Sequence, residues 1–322
     1  VEEVEKRLLE EVQRRFPLEE RPYAVLAQRL GLSEEEVIRR LEDLKVRGLL
    51  RQISAIFHPQ ALGYQTTLVA ASFSEEQVEE AASLINAYPG VSHNYLREHF
   101  FNLWFTIAVP PDEELESRVA ALMQEAGARR YLLLPIRRVF RISLVLDLSE
   151  NDEETVPGPR GEVIRKPKLD QKTISLVKVT QEDLPREPFP FACWGKALGV
   201  GAQEVLAWLR QGLKDGFIRR FAGLVRHTRA GFRGNVMVAW KVPAERVEEV
   251  GQALAGEKKI THCYERQSYP DWPYNLYTMI HAHHEKEALD YVKELSHRHC
   301  VSEYLPLVTR REFKKVRLKL FW

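Results

Sequence analysis

The sequence predicts an α+β protein made by tandem duplication, and three observations carry that prediction. Displacing the chain on itself by 168 residues aligns 2–64 with 170–232 without a gap, and fourteen of the 63 pairs are identical, Pro17/Pro185, Gly31/Gly199, Gly48/Gly216 and Arg51/Arg219 among them. Farther on, VSHNYLR at 91–97 matches ITHCYER at 260–266, and NLWFT at 102–106 matches NLYTM at 275–279 after an insertion in the second copy. Between the copies, SENDEETVPGPRGEVIRKPKL at 149–169 sets an acidic block and then Pro and Gly where apolar periodicity would stand, the composition of a linker. The period is far too long for a solenoid unit, so a whole domain has been duplicated and fused. The expected architecture is a pseudo-dimer within one chain.

Each copy has the same internal order. Residues 2–15 show helical spacing, and 22–30 form a short helix stopped at Gly31. Ser33 caps EEEVIRRLEDLKVRG, with Glu36 placed for a capping box and Gly48 as the stop; LLRQISAIFH follows as an extended wing. Residues 1–63 and 170–232 therefore read as winged helix-turn-helix modules. Strand 64–73, helix 75–87, strands 91–98 and 102–109, helix 112–126 and strand 131–136 follow, the βαββαβ order of a ferredoxin-like domain over 64–148. Copy 2 repeats it within 233–322 as 234–243, 244–255, 260–268, 274–283, 285–298 and 301–308, ending in a basic extended tail.

Composition narrows the function. Forty-seven basic against 46 acidic residues leave a net charge of +1, so bulk charge holds the protein to neither nucleic acid nor anionic lipid. Cys193, Cys263 and Cys300 are too scattered for a disulfide framework or a zinc site, which makes a reducing cytoplasm the simplest compartment. No apolar run approaches 18 residues, and VEEVEKRLLEEV is too acidic for a signal peptide. A soluble cytoplasmic protein is expected.

In strand 91–98, alternation separates Ser92, Asn94 and Leu96 from His93, Tyr95 and Arg97, with His99 just beyond; copy 2 repeats the second set as His262, Tyr264 and Arg266. A ferredoxin-like sheet covers one face with its own helices. In a fused pseudo-dimer the bare faces are expected to pack together and enclose these groups. Any one such histidine is by base rate a hydrogen-bonded core residue. The repeated H-x-Y-x-R set, from which alternation turns both Glu98 and Glu265 away, reads as a site for an anionic guest. SYPDWPYNLYTM at 268–279 brings Tyr269, Trp272, Tyr274 and Tyr277, either an interface plug or a wall for a flat conjugated ligand. HFFNLWF occupies the matching place in copy 1. RRFAGLVRHTRAGFRG at 219–234 adds Arg219, Arg220, Arg226, His227, Arg229 and Arg233 without an acid.

DNA competes for those arginines. Yet the helix of copy 1 in the recognition position begins Glu34-Glu35-Glu36, and its copy 2 counterpart has no basic residue before Arg210, whereas recognition helices read bases with their first residues. His281, His283 and His284, and His297, His299 and Cys300, do not complete a metal site. No Gly-rich phosphate loop or nucleophile elbow is present.

From LSEEEVIRRLEDLKVRGLLRQISAIFHPQALGY onward the unit resembles the Lrp/AsnC family of regulators. VSHNYLREHFFNLWFTIAVP, THCYERQSYPDWPYNLYTMIHA and the terminal REFKKVRLKLF narrow this to the sirohaem (siroheme) decarboxylases, Lrp-like proteins that have become enzymes, in their fused D–L form. The resemblance implies removal of two acetate carboxyl groups from sirohaem to give 12,18-didecarboxysirohaem, in haem d1 or alternative haem biosynthesis. It implies a carboxy-lyase with no cofactor beyond the iron-containing substrate, no DNA or membrane partner, and a tetrapyrrole as its small molecule; contact with other haem d1 pathway proteins is left open. Such a macrocycle, edged with carboxylates, needs aromatic walls and arginines.

On that reading His99 and His227 are the candidate proton donors. Arg97, Arg226 and Arg266 are expected to hold carboxylates, with Arg51 and Arg219 behind them. Tyr95, Asn102, Trp104, Arg233, Tyr269, Trp272 and Asn275 complete the expected binding set, and His93 or His262 could face the iron. Copy 2 lacks a histidine matching His99 and has the insertion, so one site, or two unequal ones, is expected. The alternatives are an Lrp/AsnC-type ligand- or haem-sensing regulator and a non-catalytic tetrapyrrole carrier.

Overall fold

The structure, a computed structural model, describes residues 3–14, 16–142, 164–225 and 234–322. Copy 1 gives α1 (Glu3–Arg14), α2 (Pro22–Leu30), α3 (Glu34–Val46), β1 (Leu50–Phe57), β2 (Gln65–Ser72), α4 (Val78–Ala87), β3 (Val91–Arg97), β4 (Leu103–Val109), α5 (Leu115–Glu125), β5 (Arg130–Leu134) and β6 (Ile136–Ile142). Copy 2 gives α6 (Gln171–Thr180), α7 (Pro190–Leu198), α8 (Ala202–Asp215), β7 (Ile218–Val225), β8 (Gly234–Trp240), α9 (Val247–Ala255), β9 (Ile260–Arg266), β10 (Leu276–Ala282), α10 (Glu285–Arg298) and β11 (Tyr304–Lys315). Most of the predicted linker lies outside the described residues.

The chain divides into two compact units that sort by type of element, not by copy. The first holds α1–α3, β1, α6–α8, β7 and Lys319–Trp322. Its local signals act as their chemistry dictates. Pro22 and Pro190 open α2 and α7, and Gly31 and Gly199 close them at φ of 71° and 69°, a conformation a side chain would strain. Ser33 accepts from the Glu36 amide at 3.2 Å, while Gly201 at the same place in α8 offers no side-chain cap. Leu8, Leu26, Leu41, Leu206 and Leu209 are fully buried.

The wings depart from expectation. Each module contributes one strand, and a lone strand leaves its backbone groups without a ladder. β1 and β7 therefore pair with each other, antiparallel, with Ser54 opposite Ala222.

The second unit holds the remaining elements in one nine-stranded sheet of order β5-β2-β4-β3-β11-β8-β10-β9-β6. The terminal strand of each copy serves both copies. Tyr304–Val308 of β11 pairs with β8, and Thr309–Lys315 crosses to β3 of copy 1. Reciprocally, β5 pairs with β2, and β6, after Pro135, pairs with β9 of copy 2. The sequence reading assigned neither β6 nor a partner for the basic tail. Gly251 in α9 lets the exchanged strand seat, because a Cβ there would stand 2.5 Å from the Phe140 ring.

Helices cover one face of each half-sheet. Val69, Phe105 and Val119 fill the copy 1 side, and Trp240, Leu254 and Val292 the copy 2 side. The other faces share a third core containing Trp104, Leu132, Leu134, Met237, Tyr277 and Leu307. No helix among the described residues is long and apolar enough to cross a membrane.

Candidate functional site

Strand alternation places the H-x-Y-x-R groups as expected. Asn94 and Leu96 turn to the helices, Asn94 donating to Asn86 Oδ1 at 3.0 Å. Tyr95 stands opposite Trp104, and Tyr264 opposite Tyr277, so both tyrosines lie on the inner faces. His93 and Arg97, and His262 and Arg266, share those faces by period two.

The two arginines are related by the internal symmetry. Arg97 Nη1 donates to the Leu307 carbonyl at 2.7 Å and to Thr309 Oγ1 at 2.9 Å, both on the strand that crosses from copy 2. Arg266 Nη1 donates to the Leu134 carbonyl at 2.7 Å, at the matching point of copy 1. Each guanidinium lies over tyrosine rings, Arg97 at 5.4 Å from Tyr95 and Arg266 at 5.1 Å from Tyr264. Neither has a carboxylate at ion-pair distance among the described residues, and both Nε atoms are buried without a hydrogen-bond partner. Burial lowers the pKa of both, that of Arg97 to about 10.

Three histidines accompany them. His93 Nδ1 lies 2.9 Å from Ser92 Oγ, and His262 Nδ1 lies 2.9 Å from Thr261 Oγ1. Burial, with the Lys315 charge opposite in register, pulls the His93 pKa down to about 4. Lys315 belongs to the tail that the sequence reading left without a place, and only the strand exchange brings it to His93. His99 accepts at Nδ1 from the Phe101 amide at 3.1 Å. Its neutral ring therefore carries the proton on Nε2. Half-buried, it stacks on Phe101 at 6.0 Å and meets Trp272 edge-on at 5.5 Å. Burial lowers its pKa.

The aromatic insertion of copy 2 reaches this histidine of copy 1. Tyr269 and Trp272 exchange backbone hydrogen bonds at 2.9 and 3.0 Å, closing the hairpin. Tyr269 Oη donates to the Leu133 carbonyl at 2.7 Å, and Asp271 pairs with Arg130. Trp272 is buried against His99, Phe101 and Trp104 and donates Nε1–H to Tyr277 Oη at 2.7 Å. Trp104 donates to the Phe101 carbonyl at 2.7 Å. In this structure the insertion fills the inner core.

Asn102 and Asn275 act otherwise than the sequence reading expected of a substrate contact. Asn102 accepts from the Phe73 amide at 3.0 Å and donates to its carbonyl at 2.9 Å; Asn275 does the same to Val242 at 3.0 and 2.7 Å. Each side-chain amide is taken up in clamping a strand end, a device the repeated Asn-Leu at 102–103 and 275–276 already contained.

Arg51 is exposed on β1, and Arg219 donates to His58 Nδ1 at 3.1 Å; both belong to the first unit. Arg226, His227 and Arg233 lie outside the described residues. Of the histidines set aside as metal ligands, His299 Nε2 lies 3.1 Å from Glu257 Oε1, and no cluster suited to a metal occurs among the described residues.

Duplicated helix-turn-helix elements joined to two half-sheets that share an inner core define a fused pseudo-dimer of the Lrp/AsnC type. Family comparison agrees with both parts: an AsnC-like ligand binding domain matches residues 61–141 and 229–314, and a siroheme decarboxylase NirDL-like HTH domain matches 5–51 and 174–219. The siroheme decarboxylase of Hydrogenobacter thermophilus is 37% identical over 98% of this chain and 94% of its own length. The siroheme decarboxylase NirDL subunit of Paracoccus denitrificans is 35% identical over 91% and 89%. The crystal structure of the siroheme decarboxylase NirDL with an iron-uroporphyrin III analogue superposes with a TM-score of 0.83 at 34% identity, covering 99% of this chain and 95% of that one. The chain belongs to the siroheme decarboxylase family, in its fused NirDL-like form.

Proposed function

We propose that this chain is a carboxy-lyase that removes two acetate carboxyl groups from sirohaem, giving 12,18-didecarboxysirohaem. The carrying observation within the structure is a pair of buried guanidiniums, Arg97 and Arg266, on aromatic inner faces with no carboxylate paired to them among the described residues. A flat polyanion supplies what they lack. Arg97 and Arg266 hold substrate carboxylates; Tyr95, Tyr264 and Trp104 supply the apolar surround.

Loss of CO₂ breaks the bond between the carboxyl carbon and the methylene and leaves its electron pair on the methylene carbon and the ring. A proton must then arrive to complete a methyl group. His99 is the donor from Nε2, with His227 the second candidate. Burial opposes the charged ring, and so does the Phe101 N–H directed at Nδ1. An acetate carboxylate brought beside it has the reverse effect, so the substrate helps to charge its own acid. The iron belongs to the substrate and contributes no atom to the balance.

The acidic opening of α3 favours this over the regulator reading. Glu36 is paired with Arg39 and Arg40, and Glu34 with Arg21, so the arginines at this helix start are already engaged by carboxylates where a phosphate would approach. Anaerobic incubation with sirohaem, followed by product mass, decides among the readings. Loss of two CO₂ is expected. Unchanged mass on bound sirohaem would establish a carrier, and salt-dependent retention on DNA a regulator.

A further inference from the structure

Behind the inner-face histidine of copy 2 stands a second, buried histidine that copy 1 lacks. β8 and β10 place Asn235 opposite His281, and His281 Nδ1 lies 2.5 Å from Asn235 Oδ1. The other ring nitrogen, Nε2, lies 3.0 Å from Thr261 Oγ1, and the same hydroxyl lies 2.9 Å from His262 Nδ1. Four residues on three adjacent strands thus form one line of hydrogen bonds, Asn235–His281–Thr261–His262. His281 is buried at 7% exposure and Thr261 at 3%, while His262 is half-buried. A bulge of β9 at Thr261, between the pairs His262–Met279 and Ile260–Ile280, brings the hydroxyl within reach of both rings.

The line has a direction. Asn235 Oδ1 only accepts, so His281 carries its proton on Nδ1 and its Nε2 is the acceptor. Thr261 has one hydroxyl proton, which goes to His281 Nε2. Its oxygen lone pair is then left to accept from His262 Nδ1–H. His262 is thereby set with the proton on Nδ1 and the lone pair on Nε2. A ring nitrogen that donates to a fixed acceptor while the other presents its lone pair is the arrangement imidazoles adopt as metal ligands. It is opposite to that of His99, whose Nδ1 accepts and whose Nε2 carries the proton.

Copy 1 has the hydroxyl without the second ring. Ser92 Oγ lies 2.9 Å from His93 Nδ1, but Ala108 occupies the place of His281, opposite Thr66 where copy 2 has Asn235. Nothing in that pair orients the Ser92 hydroxyl, and Lys315 stands across from His93.

We infer that Thr261 and His281 are positioning residues that hold His262 as the Nδ1-protonated imidazole, so that copy 2, and not copy 1, offers its Nε2 lone pair to the iron of the tetrapyrrole. This rests on the proposed function only for the nature of the guest.

Titration of the full chain with ferric uroporphyrin III and with metal-free uroporphyrin III separates the iron contact from the rest of the binding. Thr261→Val is expected to weaken the iron form by about 10–100-fold, the usual effect of removing an outer partner of a ligating histidine. It should also raise the high-spin fraction of the bound iron while leaving the metal-free affinity in place. Thr261→Ser restores the hydroxyl and should restore both affinity and spectrum; Ser92→Ala should shift neither. Equal weakening of both porphyrins by Thr261→Val, no weakening of either, or the same spectral shift from Ser92→Ala would overturn the inference. A wild-type chain that ligates the iron but releases no CO₂ from sirohaem would overturn the activity and leave this inference standing.

Discussion

The two half-sheets share a frame and differ in what they present. Arg97 and Arg266 each grip the crossing strand of the other copy by a main-chain carbonyl, and Asn102 and Asn275 each clamp a strand end through both halves of one amide. Around that frame the copies part. Copy 1 follows its strand with a short turn carrying His99 and sets Lys315 across from His93. Copy 2 carries the aromatic insertion and backs His262 with a second histidine. The difference shows what duplication preserved: the arginines and asparagines that tie strand to strand stayed matched, whereas the residues around His99 and behind His262 diverged.

Substitution at His99 tests that division most severely. His99→Ala should slow CO₂ release by about 10²–10⁴-fold, the contribution of a positioned acid, with the folded state intact. Turnover equal to wild type would remove His99 from the reaction and shift the proton donor elsewhere. The pH profile follows with a change of about tenfold per unit. The acid must be charged, and its pKa in the free enzyme lies below the ordinary histidine value, so kcat/KM should rise as pH falls toward that pKa and level off beneath it. His99→Gln should flatten the limb; an unaltered limb in that variant assigns the titration to another group.

A smaller effect is expected from the shared frame. Asn102→Ala and Asn275→Ala each leave a buried amide and carbonyl without partners, and each should cost about 1–3 kcal/mol in denaturant unfolding. Closely similar values for the two would support a common bracing role. A loss at Asn102 seen only in sirohaem KM would return that residue to the binding set. The smallest contrast lies in the helical unit. Ser33→Ala should cost about 1 kcal/mol by loss of the α3 cap, whereas Gly201→Ser should gain a few tenths by giving α8 the cap it lacks. Equal and null effects would mean that both helix starts are held by packing alone.

Much of this was legible in the sequence because the signals were local. Gly31, Ser33 and Gly48 marked helix ends by backbone chemistry, and alternation along VSHNYLR and ITHCYER separated inner from helix-side residues. What escaped notice depends on pairing between distant segments. No local pattern says that 309–315 will leave its own copy for β3, that β6 will do the same for β9, or that two single wings will complete one ladder. Asn102 and Asn275 misled for a related reason: a conspicuous polar residue after an H-x-Y-x-R strand looks like a contact until its backbone partners are known. His281 was set aside with the other histidines as an unfinished metal cluster, because its partners stand on two neighbouring strands and not along its own.

The exchange of terminal strands has a consequence in time. Arg97 and Thr309, which bond across the crossing, are 212 residues apart in the chain. The copy 1 half-sheet therefore cannot complete its inner edge while it is being synthesised; β3 waits, unpaired on one side, until residues 309–315 of copy 2 have been made. Such distant closure slows folding and exposes a strand edge during the delay. For this protein residues 309–315 set when the first copy is finished.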